Sequence, residues 1–474
     1  MAGSCFCTKN RVPAEEPTPE PPVVDDSGIK QAETDLKRAI ELSTAAFNHY
    51  FYENDSKMNR YFNPFTGLRF PVECGSVWMY TSAIESVNSI LHSLVLLKDK
   101  GKADLYDRYF DSYRQRLSTL VDNLEYYRGT YTLVSYTQTR EWSVFGVNRA
   151  SSKGNAGVDG VLNVYDDQQW LIRELIDGYK VTGEGRYLEL AEYLASYVID
   201  GYDCTLDDNG NEHGGITWGP GYYTKHTCSN GPFIAPLVWL AQLYEGKDDT
   251  IEYRYIATDK SRLSKRVKKS EYYLSYARKL YDFTKSHLRN KNTGVYWDML
   301  GAKGFGGDNI AYETINGVKF RAHNEEEKPT GEAYSYNCGS VLSGLASLYS
   351  ATGEEKYLTD AKDLSNAAYR YFVKKSSSKP GLYEYDITGF NNWFNGILLR
   401  GWVDIAPYYP NVKLNVGTFQ ANLDYAWENY LTDGLLPSSL IYGWNSEKFK
   451  NNVECMFEFA FASEYALLAK YNLL

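Results

Sequence analysis

The feature that most constrains this chain is a repeated helical hairpin. Each unit consists of an aromatic-rich loop, an apolar helix, a short turn with glycine and an amphipathic helix. The unit is clearest in two segments, one running from Tyr165 through Thr182-Gly183-Glu184 and one from Tyr336 through Thr352-Gly353-Glu354. A repeated unit that cannot bury its apolar surface alone predicts that neighbouring units stack on one another.

Four further copies of the hairpin complete the set. One begins at Cys228 and has an insertion between its two helices; weaker copies begin at Glu73, Asn391 and Asn452, and a helix at about 31–52 supplies the missing partner. The first helix of each pair is apolar nearly all round, so we expect it to be buried, whereas the second is amphipathic and belongs on the surface. Six buried helices surrounded by six outer helices predict an all-α chain folded as an (α/α)6 barrel.

The loops that lead into the buried helices should gather at one end of the barrel. Several of them are predicted to form short β-hairpins on the active-site face, and they include the glycine- and aromatic-rich segments 214–218, 294–297, 381–385 and 442–445. The turns at the other end are short. Because functional residues usually lie on loops that a rigid scaffold positions, we expect the active site at the loop-rich end.

Residues 1–28 differ in composition from the rest of the 474-residue chain. The Pro/Glu-rich segment 13–22 cannot form a core, which predicts a disordered tether. Small residues before Cys5 fit the remnant of a lipoprotein signal, with Cys5 acylated and the protein exported to a bacterial cell envelope; a tail with two incidental thiols fits as well. We predict one catalytic barrel domain over 29–474, a monomer, with Cys5 as its membrane anchor.

Charge and motif content exclude several classes of function. The net charge of −10 and the scarcity of basic runs argue against nucleic acid as a partner, and no stretch of about 18 apolar residues predicts a membrane-spanning helix. The chain has six histidines and no HExxH, GxSxG or GxxxxGK[ST] motif, so we expect neither a cofactor nor a metal. The acidic loop 203–212 lacks EF-hand spacing and is interpreted as a polar turn, although bound calcium stays open. Cys204 and Cys228 flank the same loop, and their pairing in an exported protein also stays open.

Asp166 and Asp167 are adjacent acids at the point where a loop becomes a helix. One interpretation is structural, with Asp166 as the helix cap and Gln169 completing a capping box. The other is catalytic, because a retaining glycosidase needs two carboxyl groups about 5–5.5 Å apart. The sister repeats have Asn230 and Asn337 at this place, which would cap without charge. Spacing alone leaves both interpretations open.

Aromatic residues are concentrated around this acid pair and on the neighbouring loops. Each one alone is more often a packing residue, but together, beside two acids, they fit stacking against sugar rings. Asn337 could bind sugar hydroxyls or cap its helix. The aromatic set is Tyr165, Trp170, Trp218, Tyr222, Tyr223, Trp297, Tyr336, Trp393 and Trp444.

Four motifs in this order resemble glycoside hydrolase family 76 over about residues 30–474: the segment 163–170, Gly214-Gly215-Ile216-Thr217-Trp218, Ser229-Asn230-Gly231-Pro232 and the segment 334–339. That family contains bacterial endo-α-1,6-mannanases with an (α/α)6 barrel. The resemblance implies a retaining, endo-acting hydrolase of α-1,6-mannosidic bonds in mannan backbones, with Asp166 as nucleophile and Asp167 as general acid/base. The partner would be an α-mannan polysaccharide or oligosaccharide. We predict substrate contacts at Tyr165, Trp170, Gly214, Gly215, Trp218, Tyr336, Asn337 and Trp393.

Two other functions are compatible with the same barrel. A surface mannan-binding protein without catalysis is one, and the intact acid pair argues against it. Another sugar-active enzyme, such as an epimerase or an unsaturated-uronyl hydrolase, is the second. The few histidines and the sparse Lys and Arg on the loops argue against this second alternative.

Overall fold

The computed structural model describes residues 26–69, 75–302, 309–444 and 451–474. This part of the chain is mostly helical, as predicted, and each predicted helix is found within a few residues of its expected position. The α-helices are α1 (Ser27–Tyr50), α2 (Val77–Asp99), α3 (Asp104–Asn123), α4 (Tyr165–Thr182), α5 (Gly185–Asp200), α6 (Gly231–Leu243), α7 (Lys269–Phe283), α8 (Ser335–Thr352), α9 (Glu355–Phe372), α10 (Asn391–Ile405), α11 (Lys413–Tyr430) and α12 (Cys455–Leu473).

The even-numbered helices form an inner layer. Each packs against the next in chain order, and α12 packs against α2, so the contacts close a cycle. The odd-numbered helices pack outside: α1 on α12, α3 on α2, α5 on α4, α7 on α6, α9 on α8 and α11 on α10. Burial follows this order, because α8 and α12 bury residues on all sides, whereas α9 buries a stripe at helical spacing that includes Tyr357, Ala361 and Leu364.

Two glycines allow the inner helices α8 and α10 to approach closely. A Cβ on Gly339 would lie 2.2 Å from the carbonyl oxygen of Ile397, and a Cβ on Gly401 would lie 2.5 Å from the carbonyl oxygen of Gly339. Backbone atoms in a packed helix cannot move aside as the end of a flexible side chain can. These two positions therefore require glycine for the inner layer to close.

Short antiparallel strands fill the connections between helices. β7, β10 and β13 form one three-stranded sheet and β3, β4 and β16 another, while the rest pair as hairpins. All except β8 and β9 lie between an outer helix and the next inner helix. This agrees with the prediction that the loops leading into the buried helices contain short β-hairpins. The strands are β1 (Phe51–Tyr52), β2 (Lys57–Met58), β3 (Tyr61–Asn63), β4 (Leu68–Arg69), β5 (Arg128–Val134), β6 (Thr139–Phe145), β7 (Lys225–His226), β8 (Thr250–Ile256), β9 (Arg262–Lys268), β10 (Met299–Ala302), β11 (Tyr312–Ile315), β12 (Val318–Arg321), β13 (Glu326–Thr330), β14 (Lys374–Lys375), β15 (Tyr383–Glu384) and β16 (Val453–Glu454).

The inner helices all run in the same direction. Residues early in them meet at one end, where Trp170, Tyr336 and Trp393 are in ring contact. Residues late in all six line a cavity of about 420 Å³ at the opposite end. We call these the loop end and the turn end. At the turn end, Gly183 and Gly353 terminate α4 and α8 with φ of 76° and 66°, a left-handed conformation that glycine adopts without strain.

The predicted tether and Cys5 lie outside the described residues, as do Glu73, Cys74 and Asn445, so the predictions at these positions stay predictions. Within the four described ranges, no helix combines the length and the apolar character needed to cross a membrane.

The close contact between α8 and α10 gives a test of the inner layer. We expect Gly339→Ala to lower the free energy of unfolding by about 2 kcal/mol or more, because its new methyl group would press on the backbone of α10. Gly417→Ala is the matched control: this exposed helical glycine has nothing within 4 Å of the added Cβ. It should raise stability by about 0.5–1 kcal/mol. Urea denaturation of both variants measures the difference, and equal effects would contradict the proposed contact.

Candidate active site

Asp166 and Asp167 lie in the first turn of α4. The helix begins at Tyr165, the residue before it is Val164 in an extended conformation, and no side chain caps the helix. The interpretation of Asp166 as a helix cap is therefore wrong. Gln169, its expected partner in a capping box, instead donates Nε2–H to the carbonyl oxygen of Ser229 at 2.6 Å. The acids are thus free of a capping role, although the positive end of the helix favours their charge.

The surroundings of the two acids give them different affinities for protons. Burial raises the pKa of Asp166 to about 6, although the Cys228 thiol, the Trp218 indole and nearby backbone N–H groups offset part of the effect. Asp167 is only 6% exposed. Burial, and then the charge of Asp166, raise the pKa of the Asp167 carboxyl well above its usual range. At neutral pH, Asp166 is therefore the acid that ionises and Asp167 the one that keeps its proton.

Three of the predicted aromatic residues form one cluster at the loop end, near the start of the inner helices α4, α8 and α10. The ring centroids of Trp170 and Trp393 are 5.0 Å apart, and that of Tyr336 lies 6.4 Å from Trp170 and 6.3 Å from Trp393. All three are buried. Tyr336 also faces the thiol of Cys228, which in turn faces Asp166. Through Tyr336 and Cys228, the cluster is therefore in packing contact with the surroundings of Asp166.

Trp218 lies beside the start of α4 and is only half-buried. Its carbonyl oxygen accepts a hydrogen bond from Tyr165 N at 2.8 Å. Its ring lies 4.7 Å from that of Tyr222 and 4.9 Å from that of His226. Burial, and then the charge of Asp166, raise the pKa of Tyr222, so this tyrosine is close to the acid pair. Trp218 and Tyr222 thus offer partly accessible aromatic surface next to Asp166.

Tyr165 faces away from this site. Its ring is fully buried, 5.3 Å from the ring of Tyr197, and a Cβ on Gly201 would lie 2.4 Å from its Cζ. The packing between α4 and α5 explains why the Tyr165 ring is buried here. The substrate contact predicted for Tyr165 stays a prediction that its position does not favour.

Gly214 and Gly215 shape the backbone near the site. Their φ angles of 78° and 75° are left-handed, and a Cβ on Gly215 would lie 2.5 Å from the ring of Phe283. The carbonyl oxygen of Gly214 accepts a hydrogen bond from Lys225 Nζ at 2.6 Å. Backbone conformation and packing explain both glycines, so the substrate contacts predicted for them also stay predictions.

Asn337 lies inside α8 and does not cap it, because the helix begins at Ser335 without a side-chain cap. The residue is fully buried, and neither polar atom of its amide has a hydrogen-bond partner among the described residues. Asn230 precedes α6 without capping it through its side chain. Its amide group instead forms two hydrogen bonds with the backbone of Ile216. The predicted sugar contact of Asn337 stays untested.

A groove lies at the loop end. Its volume is about 710 Å³, and its lining includes Trp297, Tyr334, Tyr385 and Asn395 but neither Asp166 nor Asp167. Burial raises the pKa of both Cys228 and Tyr336, and the charge of Asp298 raises it further, so the Asp298 carboxyl lies close to them. Asp298 follows Trp297 in the chain, so one residue of the groove lining is next in sequence to a neighbour of Cys228. Its aromatic and polar lining suits a neutral, hydroxyl-rich ligand.

One protein family matches part of the chain. The family described as glycosyl hydrolase family 76 matches residues 256–466. This segment, somewhat less than half of the chain, is similar to that family. The matched segment contains the residues that line the 710 Å³ groove. Asp166 and Asp167 lie before the matched segment.

Solved family 76 structures share the fold along most of the chain. A family 76 mannosidase from Bacteroides thetaiotaomicron has a TM-score of 0.65 at 19% identity, with 92% of this chain and 98% of that chain covered. An α-1,6-mannanase from Salegentibacter sp. HEL1_6 has a TM-score of 0.57 at 20% identity, with 93% and 100% covered. An inactive variant of that mannanase, with two consecutive aspartates changed to asparagine, is in complex with α-1,6-mannotriose; its TM-score is 0.57 at 19% identity, with 93% and 100% covered. At these identities the likeness shows the fold alone. No curated protein sequence matches significantly.

Sequence reasoning missed several residues of this candidate site. Cys228 was considered only as half of a disulfide, but Cys204 and Cys228 are both free and buried in the structure. Asp298 follows Trp297 in a loop-end segment. Burial, and then the charge of Glu332, raise the pKa of Asp298 to about 6. The sequence signal for Asp298 was an acid beside a loop tryptophan.

Glu85 was also missed. It lies in the apolar helix α2, accepts a hydrogen bond from Trp393 Nε1 at 3.1 Å and pairs with Arg400. Burial lowers the pKa of Arg400 to about 10. The signal for Glu85 was a charged residue in a helix otherwise suited to burial, because such residues are seldom buried without a partner.

The acidic loop 203–212 has the contacts of a polar turn. Asp207 Oδ1 accepts hydrogen bonds from the backbone N–H of Asn209 at 2.9 Å and of Asn211 at 2.8 Å. Glu212 forms an ion pair with Lys279 at 2.7 Å. These contacts agree with the interpretation made from sequence and leave calcium binding untested.

The raised pKa of Asp167 predicts a pH-dependent cost to stability. The folded state holds this proton more tightly than the unfolded state does. Asp167 therefore lowers the free energy of unfolding once the pH exceeds its unfolded pKa of about 4, and the loss grows until the pH reaches its folded pKa. We expect Asp167→Asn to raise the free energy of unfolding at pH 7 by on the order of 1 kcal/mol. The gain should disappear at acid pH. Urea denaturation across this range measures the difference.

The control for this prediction is Asp208→Asn, which changes an exposed acid of the turn. It should leave the pH dependence as in the unchanged protein. A gain for Asp167→Asn that is equal at acid and neutral pH would contradict the assignment of the proton to Asp167.

Proposed function

We propose that the protein is a retaining endo-α-1,6-mannanase, which cleaves mannosidic bonds within the backbone of α-mannan. The observation that carries the proposal is the pair of adjacent acids, Asp166 partly buried and Asp167 buried, whose environments separate their pKa values. The similarity of residues 256–466 to glycosyl hydrolase family 76 supports a glycosidase. A mannanase of similar fold is described as inactive when two consecutive aspartates are changed to asparagine, and Asp166 and Asp167 are likewise consecutive.

In the proposed first step, Asp166 attacks C1 of a mannose unit and Asp167 gives its proton to the departing glycosidic oxygen. The order of ionisation supports these roles, since a nucleophile must be charged and a general acid must hold a proton. The step forms a mannosyl ester on Asp166 and releases one end of the polysaccharide.

In the second step, Asp167 takes a proton from water, and the water oxygen attacks C1 and frees Asp166. The charge of Asp166 helps to raise the pKa of Asp167. Ester formation removes that charge, so the pKa of Asp167 falls when the residue must act as a base. Adjacent placement of the two acids therefore serves both steps.

The surroundings of the acids support a polysaccharide substrate. Trp218 and Tyr222 offer partly accessible aromatic faces beside Asp166, and the 710 Å³ groove extends past Trp297 and Tyr334. An open groove of this size suits a chain that continues beyond the cleaved bond, which supports endo action.

We further propose that the twelve helices form an (α/α)6 barrel and that the protein acts as a monomer. The closed cycle of contacts among the inner helices supports the barrel. Export to a bacterial envelope with an acylated Cys5 is also proposed; its support is the pair of small residues, Gly3 and Ser4, before that cysteine.

Substitution of the acids tests the proposal. We expect Asp166→Asn and Asp167→Asn each to lower kcat/KM on unbranched α-1,6-mannan by at least about a thousandfold, because each removes one partner of the double displacement. Release of oligosaccharides measures activity, and Asp208→Asn is the control that should keep it. Full activity in both acid variants would overturn the assignment. Proton NMR of the first product should detect the α-anomer, and an initial β-anomer would contradict retention.

The pH profile tests the roles of the two acids. We expect kcat/KM to fall below pH about 6, where Asp166 gains a proton, and to fall again at higher pH, where Asp167 loses its own. With an aryl α-mannoside whose leaving group needs no proton, Asp167→Asn should keep the acid limb and lose the alkaline limb. An acid limb near the ordinary aspartate pKa of about 4 would contradict the proposed environment of Asp166.

A further inference from the structure

The cavity at the turn end is lined by charged side chains, although it lies among the inner helices. Its volume is about 420 Å³, and it is at the end of the inner layer opposite to Asp166. The two proposed reaction steps use none of the residues that line it. Four of these residues are basic: Arg173 and Lys180 from α4, Arg400 from α10 and Lys470 from α12.

Arg173 is a buried cation whose donors are not used. The residue is only 7% exposed. A guanidinium group has five N–H donors, but that of Arg173 makes no hydrogen bond within the described ranges, and its Nε is buried without a partner. Carboxylate oxygens of Glu174 and Asp404 lie 3.8 Å and 3.9 Å from its nitrogens, too far for a hydrogen bond. Because buried polar groups are nearly always hydrogen-bonded, this arginine is available to a ligand.

Two acids of the cavity lining already have partners. Asp404 Oδ2 accepts a hydrogen bond from Ser343 Oγ at 2.7 Å, and its Oδ1 accepts one from Lys470 Nζ at 3.3 Å. Glu85 forms an ion pair with Arg400. Asp404 and Glu85 are thus matched by Lys470 and Arg400, and Arg173 and Lys180 are the basic residues that remain.

The other two acids of the lining leave an excess of positive charge. Burial, and then the charge of Asp177, raise the pKa of Glu174 to about 8, so Glu174 holds its proton at neutral pH. Asp177 then faces both remaining cations, and its Oδ1 lies 3.9 Å from Lys180 Nζ. One carboxylate cannot balance two cations. The cavity therefore favours an anion.

Arg173 and Lys180 share one aromatic neighbour. The Cζ atom of Arg173 lies 4.7 Å from the ring centroid of Trp239 on α6, and Lys180 Nζ lies 3.5 Å from the same centroid. Burial lowers the pKa of Lys180 to about 8; Asp177 opposes this effect, and the charge of Arg173 adds to it. The two cations therefore repel each other across a short distance. A bound anion would remove this repulsion.

We propose that Arg173 and Lys180 bind one small oxyanion, a phosphate or carboxylate group, in the turn-end cavity. The planar fork of a guanidinium group matches two oxygens of either group, and an ammonium group adds a point charge. Ser347 also lines the cavity; its Oγ accepts a hydrogen bond from Trp239 Nε1 at 3.1 Å, so its own hydrogen can be donated to the anion. The volume leaves room for an organic part attached to the anionic group.

The site would join two inner helices, α4 and α6, at the end where α4 carries no catalytic residue. Its basic residues come from distant segments, and no motif in the sequence predicts it. The anion takes no part in the proposed glycosidase reaction. The proposal is therefore independent of the proposed function, and each can fail without the other.

Titration of the full chain with anions tests the proposal. The protein, in a chloride buffer free of oxyanions, is titrated by calorimetry with inorganic phosphate, with sulfate and with malonate at constant ionic strength. We expect saturable binding of one anion per chain and a melting temperature that rises with its concentration. Tighter binding of phosphate and sulfate than of malonate would identify a tetrahedral group, and the reverse a carboxylate. Absence of saturable binding for all three anions would overturn the proposal.

Substitutions locate the anion. Arg173→Gln and Lys180→Gln should each weaken binding by at least about tenfold, because each removes a charge-assisted hydrogen bond. Arg173→Lys keeps the charge without the fork and should lose less. Lys356→Gln is the control: it removes an exposed lysine at the start of α9, at the same end but outside the cavity lining, and should leave binding unchanged.

Circular dichroism checks that each variant is folded, and the titration of the unchanged protein stands even if one is not. Binding that both substitutions in the cavity leave unchanged would overturn the proposal. An equal loss in Lys356→Gln would also overturn it, because it would show attraction to surface charge instead of a site.

Discussion

Two neighbouring carboxyl groups in a buried helix turn cannot both hold a charge at neutral pH. The rest of the structure makes this constraint effective, because a closed layer of inner helices removes water from the first turn of α4. The close contact between α8 and α10 at Gly339 and Gly401 helps to close that layer. Desolvation alone would neutralise both acids. The polar contacts of Asp166 with Cys228 and Trp218 favour its charge, and the two acids become different.

The inner layer also contains charged side chains where an ordinary core would be apolar. Glu85 joins Trp393 to Arg400, and Arg400 lies 3.7 Å from Glu174. Burial, and then the charge of Asp177, raise the pKa of Glu174 to about 8. Charged groups are costly to desolvate, and a helix packed in another register would leave one of these charges unpaired. Because Glu85 binds both Trp393 and Arg400, the ion pair favours one position of the Trp393 ring.

The helices could be predicted because their signal is local: apolar periodicity, and glycine at the turns that end α4 and α8. The acid pair was singled out by its adjacency at the start of a helix, and the resemblance to family 76 assigned the role of each acid. The orientation of the neighbouring Tyr165 was not predicted. Tyr165 precedes Asp166 by one residue, which is about 100° around a helix, so it faces α5 while the acids face inward. The roles of Cys228 and Glu85 depend on contacts between distant segments, because Cys228 meets Asp166 and Glu85 meets Trp393 and Arg400. No spacing within one segment predicts such contacts.

The start of α1 lies at the turn end, where a Cβ on Gly28 would be 2.8 Å from the carbonyl oxygen of Asn472 near the end of α12. Asp26, the first described residue, therefore lies at the end of the inner layer opposite to Asp166. If the chain were held to a surface through Cys5, the proposed active site would lie on the side of the molecule that faces away from that surface. A long polysaccharide could then be engaged anywhere along its length without passing between the enzyme and its support.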